Sequence, residues 1–354
     1  MARALKRPDA ASETPSSAGS AFPSVGRFVA GLLIAGLLFV LLLRQVDLRA
    51  VATALRTAHW PLLFLLPPMS YLSIHLKAWR WSVALGAGSA ERPRVRLFSA
   101  SMIGTAANTV LPARLGDVLR ALVLHRHNRV SMPRALLASW ASQAFDMLAV
   151  ALLLLAFVAT DETVASRRAL VLILIALVAG LTLAAGVARR PRALIGWARR
   201  LPFGFGSRAA ALVEHAAAGL RFLSVPAILV RVVGLTTLIW IGDLLAMTLA
   251  LHAFRIDVDF AATGLLLASI GLSFALPLTP GNLGTYQLVA LLVLGRLGIE
   301  ADRALAFGIG SQGIMLIGCL VPGFYFLQRE RLLSWRALRA VSQVKGSAPE
   351  PGDD

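Results

Sequence analysis

Residues 111–117 read Leu-Pro-Ala-Arg-Leu-Gly-Asp, and residues 276–284 read Leu-Pro-Leu-Thr-Pro-Gly-Asn-Leu-Gly. Each segment interrupts a long apolar stretch, the first at about 97–125 and the second at about 262–295. Proline and glycine end or kink a helix, so the stretch 97–111 would form only about 22 Å of helix. The hydrocarbon core of a bilayer is about 30 Å thick. Each stretch is therefore predicted to be a re-entrant helical hairpin or one discontinuous span.

The rest of the chain is strongly apolar. Hydrophobic residues make up 57% of the 354 residues and charged residues only 15%, and the mean hydropathy is +0.73. Soluble domains carry about 25% charged residues. Several apolar runs have nearly the length of roughly 20 residues that a membrane crossing needs. They predict an all-α polytopic membrane protein. The first apolar run is predicted to be retained as a span and not cleaved as a signal peptide. The six full crossings are predicted at about 28–43, 60–76, 135–160, 169–188, 227–252 and 304–327.

The net charge of +17 could indicate nucleic-acid binding, but no soluble segment is long enough to form a reading domain. Lys and Arg of membrane proteins collect in cytoplasmic loops. If both broken stretches are re-entrant and the N-terminus is cytoplasmic, most of the 35 Lys and Arg residues fall inside. The charge distribution thus favours re-entrant hairpins. The predicted organisation is a disordered cytoplasmic N-terminus at 1–27, a transmembrane domain at 28–327 and a cytoplasmic tail at 328–354.

The two broken stretches also resemble each other. Pro112 precedes Gly116 by the same spacing as Pro277 precedes Gly281, and Arg-Ala-Leu followed by Ser-Gln recurs at 134–143 and 303–312. Chance similarity between Leu- and Ala-rich segments is the alternative. If the repeat is real, three crossings separate the hairpins, so they enter from opposite faces. An inverted repeat with broken helices is typical of transporters whose substrates bind near the midplane.

Charged and polar residues surround the first break. A half-helix that starts near Gly116 points bare backbone N–H groups inward and attracts anions, and Arg114 and Arg120 add positive charge. Asp117 is spaced to pair with either arginine, and Asn108 precedes the break. This group is predicted to bind substrate, although it could equally close the hairpin by satisfying its own backbone.

The second break is polar but uncharged. Its composition predicts a tight turn, and substrate binding there is a further hypothesis. The candidate residues are Thr279, Pro280, Gly281, Asn282, Gly284 and Gln287.

Two carboxylates and two amides lie within predicted spans: Asp146, Asp243, Gln143 and Gln312. A carboxylate near the bilayer centre costs at least about 2.5 kcal/mol, so it normally faces a partner or water. We consider Asp146 a substrate- or proton-coupling group, with an internal ion pair or a polar packing network as the alternative.

Lys77, Arg80 and Trp81 lie at the end of the second predicted span. Tryptophan together with cations is typical of the headgroup level. These residues are therefore predicted to anchor the span, or to contact a lipid phosphate.

Several functional classes lack their motifs. The only cysteine, Cys319, lies in an apolar run, which excludes a disulfide framework and a cysteine-based metal site. The sequence contains no zinc-protease motif, no phosphate-binding loop, no dinucleotide fingerprint and no hydrolase elbow. We therefore expect no cofactor, no metal and no enzymatic activity.

The motifs at 108–117 and 277–284, together with Asp146 and the Pro-Gly pair at 322–323, resemble the lysylphosphatidylglycerol synthase transmembrane region, a flippase-like family. The similarity extends over about 28–327. In two-domain members the membrane half is implicated in flipping aminoacylated phosphatidylglycerol, and other relatives are associated with hopanoid or glycolipid pathways. We expect no soluble synthase domain in this chain, so the resemblance does not imply synthase activity. Gln143 and Gln312 replace charged residues of the family pattern, which puts the coupling details and headgroup charge in question.

The sequence thus favours a lipid translocase of the bacterial inner membrane that moves a phospholipid, glycolipid or hopanoid-type molecule. Its expected partners are membrane lipids with anionic or polar headgroups, and a homodimer or a complex with lipid-pathway proteins is compatible with the sequence. The alternatives are a non-transporting component of a lipid or envelope pathway and a membrane-embedded lipid-modifying transferase.

Overall fold

The computed structural model describes residues 25–44, 46–86, 94–111, 115–128, 130–158, 164–200, 205–275 and 279–330. Within these ranges the regular structure is entirely helical, with fourteen α-helices and short 3-10 turns at 221–224 and 280–282. The α-helices are α1 (Val25–Leu43), α2 (Leu48–Thr57), α3 (Trp60–Leu63), α4 (Leu66–Leu85), α5 (Arg94–Val110), α6 (Leu115–Asn128), α7 (Met132–Val158), α8 (Val164–Arg189), α9 (Pro191–Ala198), α10 (Phe205–Leu220), α11 (Pro226–Ala253), α12 (Phe260–Ala275), α13 (Thr285–Arg296) and α14 (Ala301–Arg329).

Helices lie at all six positions where crossings are predicted. Considering the described residues alone, α7, α11 and α14 are each long and apolar enough to span a bilayer. The apolar part of α8 and the short α9 meet at an 84° bend and would together make a fourth candidate. The second predicted crossing differs most from its prediction, because Pro67 and Pro68 lie at the start of a helix, where proline is tolerated, and α4 then continues to Leu85. The chain is therefore a helical membrane protein.

The two interrupted helices break where proline and glycine predict. Helices α5 and α6 pack along each other on either side of the first break, and α12 and α13 do so around the second. Close approach in the first pair depends on two glycines: a Cβ on Gly104 would lie 3.0 Å from the carbonyl oxygen of Gly116, and a Cβ on Gly116 would overlap the Gly104 carbonyl. Residues 112–114 and 276–278, including Arg114 and Pro277, lie outside the described residues.

The buried core has two main parts, one beside each break. The first joins α4, α5, α6, α7 and the 3-10 turn at 221–224, and it includes Ile103, Leu124 and Phe222. The second joins α2 and α3 to α11, α12, α13 and α14 and includes Ile256, Leu266 and Phe307. Each broken pair is therefore supported by its own apolar cluster, and polar side chains meet between the two.

Candidate functional site

Asp117 organises the first break. It lies in the first turn of α6, where the helix dipole favours a carboxylate, and only 4% of its surface is exposed. Its Oδ1 lies 3.0 Å from Nη2 of Arg120 and accepts a hydrogen bond from Nδ2 of Asn108 at 3.2 Å. The break is thus closed by an ion pair within α6 and an amide from α5.

This cluster is also attached to the following long helix. Gln143 of α7 donates to Oδ2 of Asp117 at 3.5 Å, and Arg120 donates to Ser139 of α7. The Arg120 guanidinium carbon lies 5.4 Å from the ring centre of Trp81, close enough for a cation–π contact. In this conformation, Asp117 and Arg120 hold the first hairpin against α7.

The second break depends on left-handed backbone conformations and amide side chains. Gly281, Asn282 and Gly284 have φ values of 62°, 58° and 80°, a region that glycine adopts readily and asparagine tolerates. Gln287 Oε1 accepts from the Gly284 N–H at 2.8 Å, and Gln287 Nε2 donates to Gln312 Oε1 at 2.5 Å. Gln312 in turn donates to the Gly281 carbonyl at 2.9 Å. A neutral amide chain therefore ties this break to α14.

The remaining polar residues of the second break bond locally. Thr279 donates to the Leu283 carbonyl at 2.7 Å, and Asn282 Nδ2 donates to Ser273 at 2.6 Å. Pro280 begins the 3-10 turn. These contacts agree with the tight turn predicted from composition.

The end of α5 and the second break meet inside the bundle. A Cβ placed on Gly281 would lie 3.3 Å from the carbonyl oxygen of Thr109, close to the C-terminal end of α5. The end of the first hairpin helix therefore rests on the turn of the second hairpin.

A cavity of about 710 Å³ lies beside this meeting point. It is lined by residues of α4, α5, α7, α8, α11, α12, the second break, α13 and α14. Much of the wall is apolar, and the polar positions include hydroxyl, amide, indole and charged groups. The charged residues lining it, within the described ranges, are Lys77, Asp146 and Asp243.

Asp146 is held by a buried arginine. The Arg80 Nη1 and Nη2 atoms donate to Oδ1 and Oδ2 of Asp146 at 2.8 and 2.6 Å, and the two side chains are 3% and 16% exposed. Arg80 also donates to Thr236 at 2.8 Å, and Trp240 Nε1 donates to Asp146 at 3.3 Å. This bidentate geometry is the strong form of an arginine–carboxylate contact, and it joins α4, α7 and α11.

Lys77 and Asp243 form a looser pair. Their Nζ and Oδ2 atoms are 3.5 Å apart, and the side chains are 42% and 27% exposed. The pair lies one helical turn along α4 from Arg80 and faces the cavity directly.

Arg80 and Trp81 are buried within the helical bundle. Both are 3% exposed, and Trp81 Nε1 donates to the Ala135 carbonyl at 3.1 Å. Helix α4 extends beyond the predicted crossing, which places these side chains against α7 and α11. Their headgroup role stays a prediction. Lys77 is half-exposed but also faces inward, toward Asp243.

The structure brings together only some of the predicted site residues. Those that line the cavity are Lys77, Gln143, Asp146, Asp243, Gly281 and Gln312. The others are next to the breaks or behind the lining, and they are Asn108, Gly116, Asp117, Arg120, Thr279, Pro280, Asn282, Gly284, Gln287, Arg80 and Trp81. Arg114 lies outside the described residues, so its predicted role stays a prediction. No three His, Cys, Asp or Glu side chains gather as a metal site would require in the described part of the chain.

Sequence reasoning missed several aromatic and hydroxyl residues of the cavity, among them Trp240 and Ser70. A signal for part of the site was present. Three helices carry polar or aromatic residues at positions i, i+4 and i+7, which lie on one face of a helix. These residues are Ser73, Lys77 and Arg80 on α4, Ser139, Gln143 and Asp146 on α7, and Thr236, Trp240 and Asp243 on α11.

Comparison with known proteins agrees with this architecture. The family model described as the lysylphosphatidylglycerol synthase TM region matches residues 28–323. No curated protein and no solved structure gives a significant match. The match covers both broken helices and every charged residue of the cavity, and the chain therefore belongs to the lysylphosphatidylglycerol synthase TM region family.

Proposed function

We propose that this protein is a lipid translocase that accepts a polar headgroup in the central cavity and exposes it to the two leaflets in turn. The observation that carries this proposal is a cavity of about 710 Å³, lined by Lys77, Asp146 and Asp243, next to the contact between two broken helices. Its volume is within the roughly 300–1,000 Å³ range of small-molecule sites. Charged residues within a membrane bundle commonly mark a substrate path.

Reciprocal packing supports an inverted repeat. Helices α4, α5 and α7 have the same order around the first break as α11, α12 and α14 have around the second. Helix α4 packs on α11, α5 packs on α14, and α12 packs on α7. The contact of α5 with α14 thus has a counterpart in the contact of α12 with α7. A two-fold relation between the two halves requires such matching contacts. Such a repeat supplies two related states for alternating access.

The membrane arrangement belongs to the same proposal. Six full crossings and two re-entrant hairpins would place both termini in the cytoplasm and the protein in the bacterial inner membrane. The support is the distribution of Lys and Arg along the sequence, most of which then fall on the cytoplasmic side.

The chemistry proposed is binding without covalent change. Asp146 is already engaged by Arg80 and Trp240, so it is poorly placed to act as a general base. The apolar residues Met147, Leu267 and Ile270, which also line the cavity, suit the glycerol and upper acyl segments of a lipid. A lipid could therefore enter with its headgroup at the charged residues and its chains toward the bilayer.

Leaflet exchange in reconstituted vesicles tests the proposal. Purified protein is inserted into vesicles that contain acyl-labelled lipids with different headgroups, and a membrane-impermeant quencher reports the fraction in the outer leaflet over time. We expect at least one headgroup to exchange faster than in protein-free vesicles. Exchange at the protein-free rate across the whole panel would contradict the proposal.

A pair of tryptophan substitutions on one helix provides the matched control. Ala246 lines the cavity, so Ala246→Trp should fill it and slow exchange about tenfold or more. Ala227 is exposed near the other end of α11, so Ala227→Trp should leave the rate unchanged. Equal effects of the two substitutions would show that exchange does not pass through the cavity.

A further inference from the structure

We propose that Lys77 and Asp243 are the headgroup-selecting pair of the cavity, and that they select a zwitterionic phospholipid, whose headgroup carries one phosphate and one ammonium group. This inference rests on the proposed translocase function and deepens it by assigning a substrate class to that site.

The two ion pairs of the cavity differ in how fully their charges are engaged. Asp146 accepts two hydrogen bonds from Arg80 and one from Trp240. In the described part of the chain, the polar contact of the Asp243 carboxylate is a single one, to Lys77 at 3.5 Å. The first pair is fixed, whereas the second can open at little cost because half-exposed pairs contribute about 1 kcal/mol or less.

Exposure agrees with this division of roles. Lys77 and Asp243 are 42% and 27% exposed, against 3% and 16% for Arg80 and Asp146. Both members of the looser pair line the cavity, while Arg80 lies behind the lining. A headgroup that enters the cavity therefore meets one available cation and one available carboxylate.

Charge balance then decides the headgroup class. A headgroup with only a phosphate could pair with Lys77 but would leave Asp243 unpaired beside a second negative charge. A headgroup with one phosphate and two ammonium groups, such as that of lysylphosphatidylglycerol, would fill both partners and leave its second ammonium unpaired. Once a headgroup displaces water from the cavity, a charge that is left unpaired there becomes costly. A zwitterionic headgroup pairs its phosphate with Lys77 and its ammonium with Asp243, so every charge keeps a partner.

Cys319 provides a direct measure of binding. It is the only cysteine of the chain, it lines the cavity, and a bound lipid would shield its thiol. The rate of Cys319 labelling by a maleimide is measured in detergent micelles with phosphatidylethanolamine, phosphatidylglycerol or lysylphosphatidylglycerol of identical acyl chains. A Cys319→Ser/Asp257→Cys variant, which moves the thiol to an exposed loop, controls for effects of lipid on the reagent.

Phosphatidylethanolamine should give half-maximal protection at about a tenfold lower mole fraction than the other two lipids, which corresponds to about 1.4 kcal/mol. Asp243→Asn should shift the preference by about tenfold toward phosphatidylglycerol, and Lys77→Gln should shift it toward lysylphosphatidylglycerol. The exchanged pair Lys77→Asp/Asp243→Lys should restore phosphatidylethanolamine as the preferred lipid. Asp257→Asn, the same chemical change at an exposed position, should leave the order unchanged.

Equal protection by all three lipids would overturn the inference, as would an unchanged order in Asp243→Asn. Leaflet exchange of the same three lipids separates this result from the proposed function. Selective protection without any exchange would overturn the translocase proposal and leave the headgroup assignment standing. Rapid exchange of all three lipids with equal protection would overturn the headgroup assignment alone.

Discussion

Replacing Arg80 tests whether the Arg80–Asp146 pair holds the three central helices together. The guanidinium is 3% exposed and makes two short contacts with the carboxylate. Removing one partner of a buried pair costs about 3–5 kcal/mol, because the other charge stays buried and unpaired. Arg80→Met should be near the lower value, since Asp146 keeps the Trp240 N–H and some exposure. Asp146→Leu should be near the upper value, since Arg80 keeps only Thr236.

The assay is thermal unfolding in detergent, followed by intrinsic tryptophan fluorescence. At about 2 °C per kcal/mol, the lower end of the range for large domains, Arg80→Met should lower the midpoint by about 6 °C and Asp146→Leu by about 10 °C. The double variant removes both charges and replaces them with apolar groups. Such replacements are often neutral or stabilising, so the double variant should unfold within about 4 °C of the parent.

Lys77→Met is the matched control on the same helix. Its ion pair is half-exposed and makes one 3.5 Å contact, so its loss should cost about 1 kcal/mol or less and shift the midpoint by about 2 °C. The reasoning would be refuted if Arg80→Met were no more harmful than Lys77→Met. Additive effects of the two single substitutions in the double variant would refute it as well, because coupled partners are non-additive.

Three further substitutions test the breaks, each with thermal unfolding as the first measurement. Gly116→Ala forces a Cβ into the backbone of α5 and should cost about 1–3 kcal/mol, whereas Gly234→Ala, with open space around it, should be neutral or stabilising. Gly281→Ala imposes a left-handed conformation on alanine at φ 62°, which costs about 1–2 kcal/mol. The same substitution should also slow leaflet exchange, because the end of α5 contacts the second break at Gly281. Gln312→Leu leaves the Gly281 carbonyl without its donor and should cost about 1–3 kcal/mol, while Gln328→Leu at the exposed end of the same helix should have no effect. Gly234→Ala also serves as the control for Gly281→Ala, and a midpoint equal to that of its control would contradict each prediction.

The positions of the helices and of both breaks could be predicted from the sequence because their causes are local. Uncharged apolar runs identify the long helices, and proline with glycine identifies the interruptions at 111–116 and 276–284. The tight turn around Gly281 follows from composition in the same way.

The partners of the charged residues could not be predicted, because they depend on packing between distant segments. Arg80 and Asp146 are 66 residues apart in sequence, and Lys77 and Asp243 are 166 apart. Sequence spacing indicated that Asp117 would pair with a nearby arginine, and the pair with Arg120 is seen. Sequence spacing gave no indication that the Asp117–Arg120 pair would face α7 and not the cavity.

The burial of Arg80 and Trp81 could not be predicted for a similar reason. Tryptophan beside arginine is typical of a membrane surface, and the local pattern contains nothing that distinguishes this from a buried cluster. The polar stripes at i, i+4 and i+7 on three helices were the available clue, and they become meaningful only when the helices are seen to face one another.

Pairing of the buried charges also has an electrical consequence. The ion pairs around the cavity and the first break each sum to zero: Lys77–Asp243, Arg80–Asp146 and Arg120–Asp117. Moving one elementary charge through 100 mV of membrane voltage is worth about 2.3 kcal/mol, whereas a neutral pair that moves as a unit contributes almost nothing. The voltage across the membrane therefore exerts no net force on these pairs, and rearrangements that keep them together should proceed at the same rate in energised and de-energised membranes.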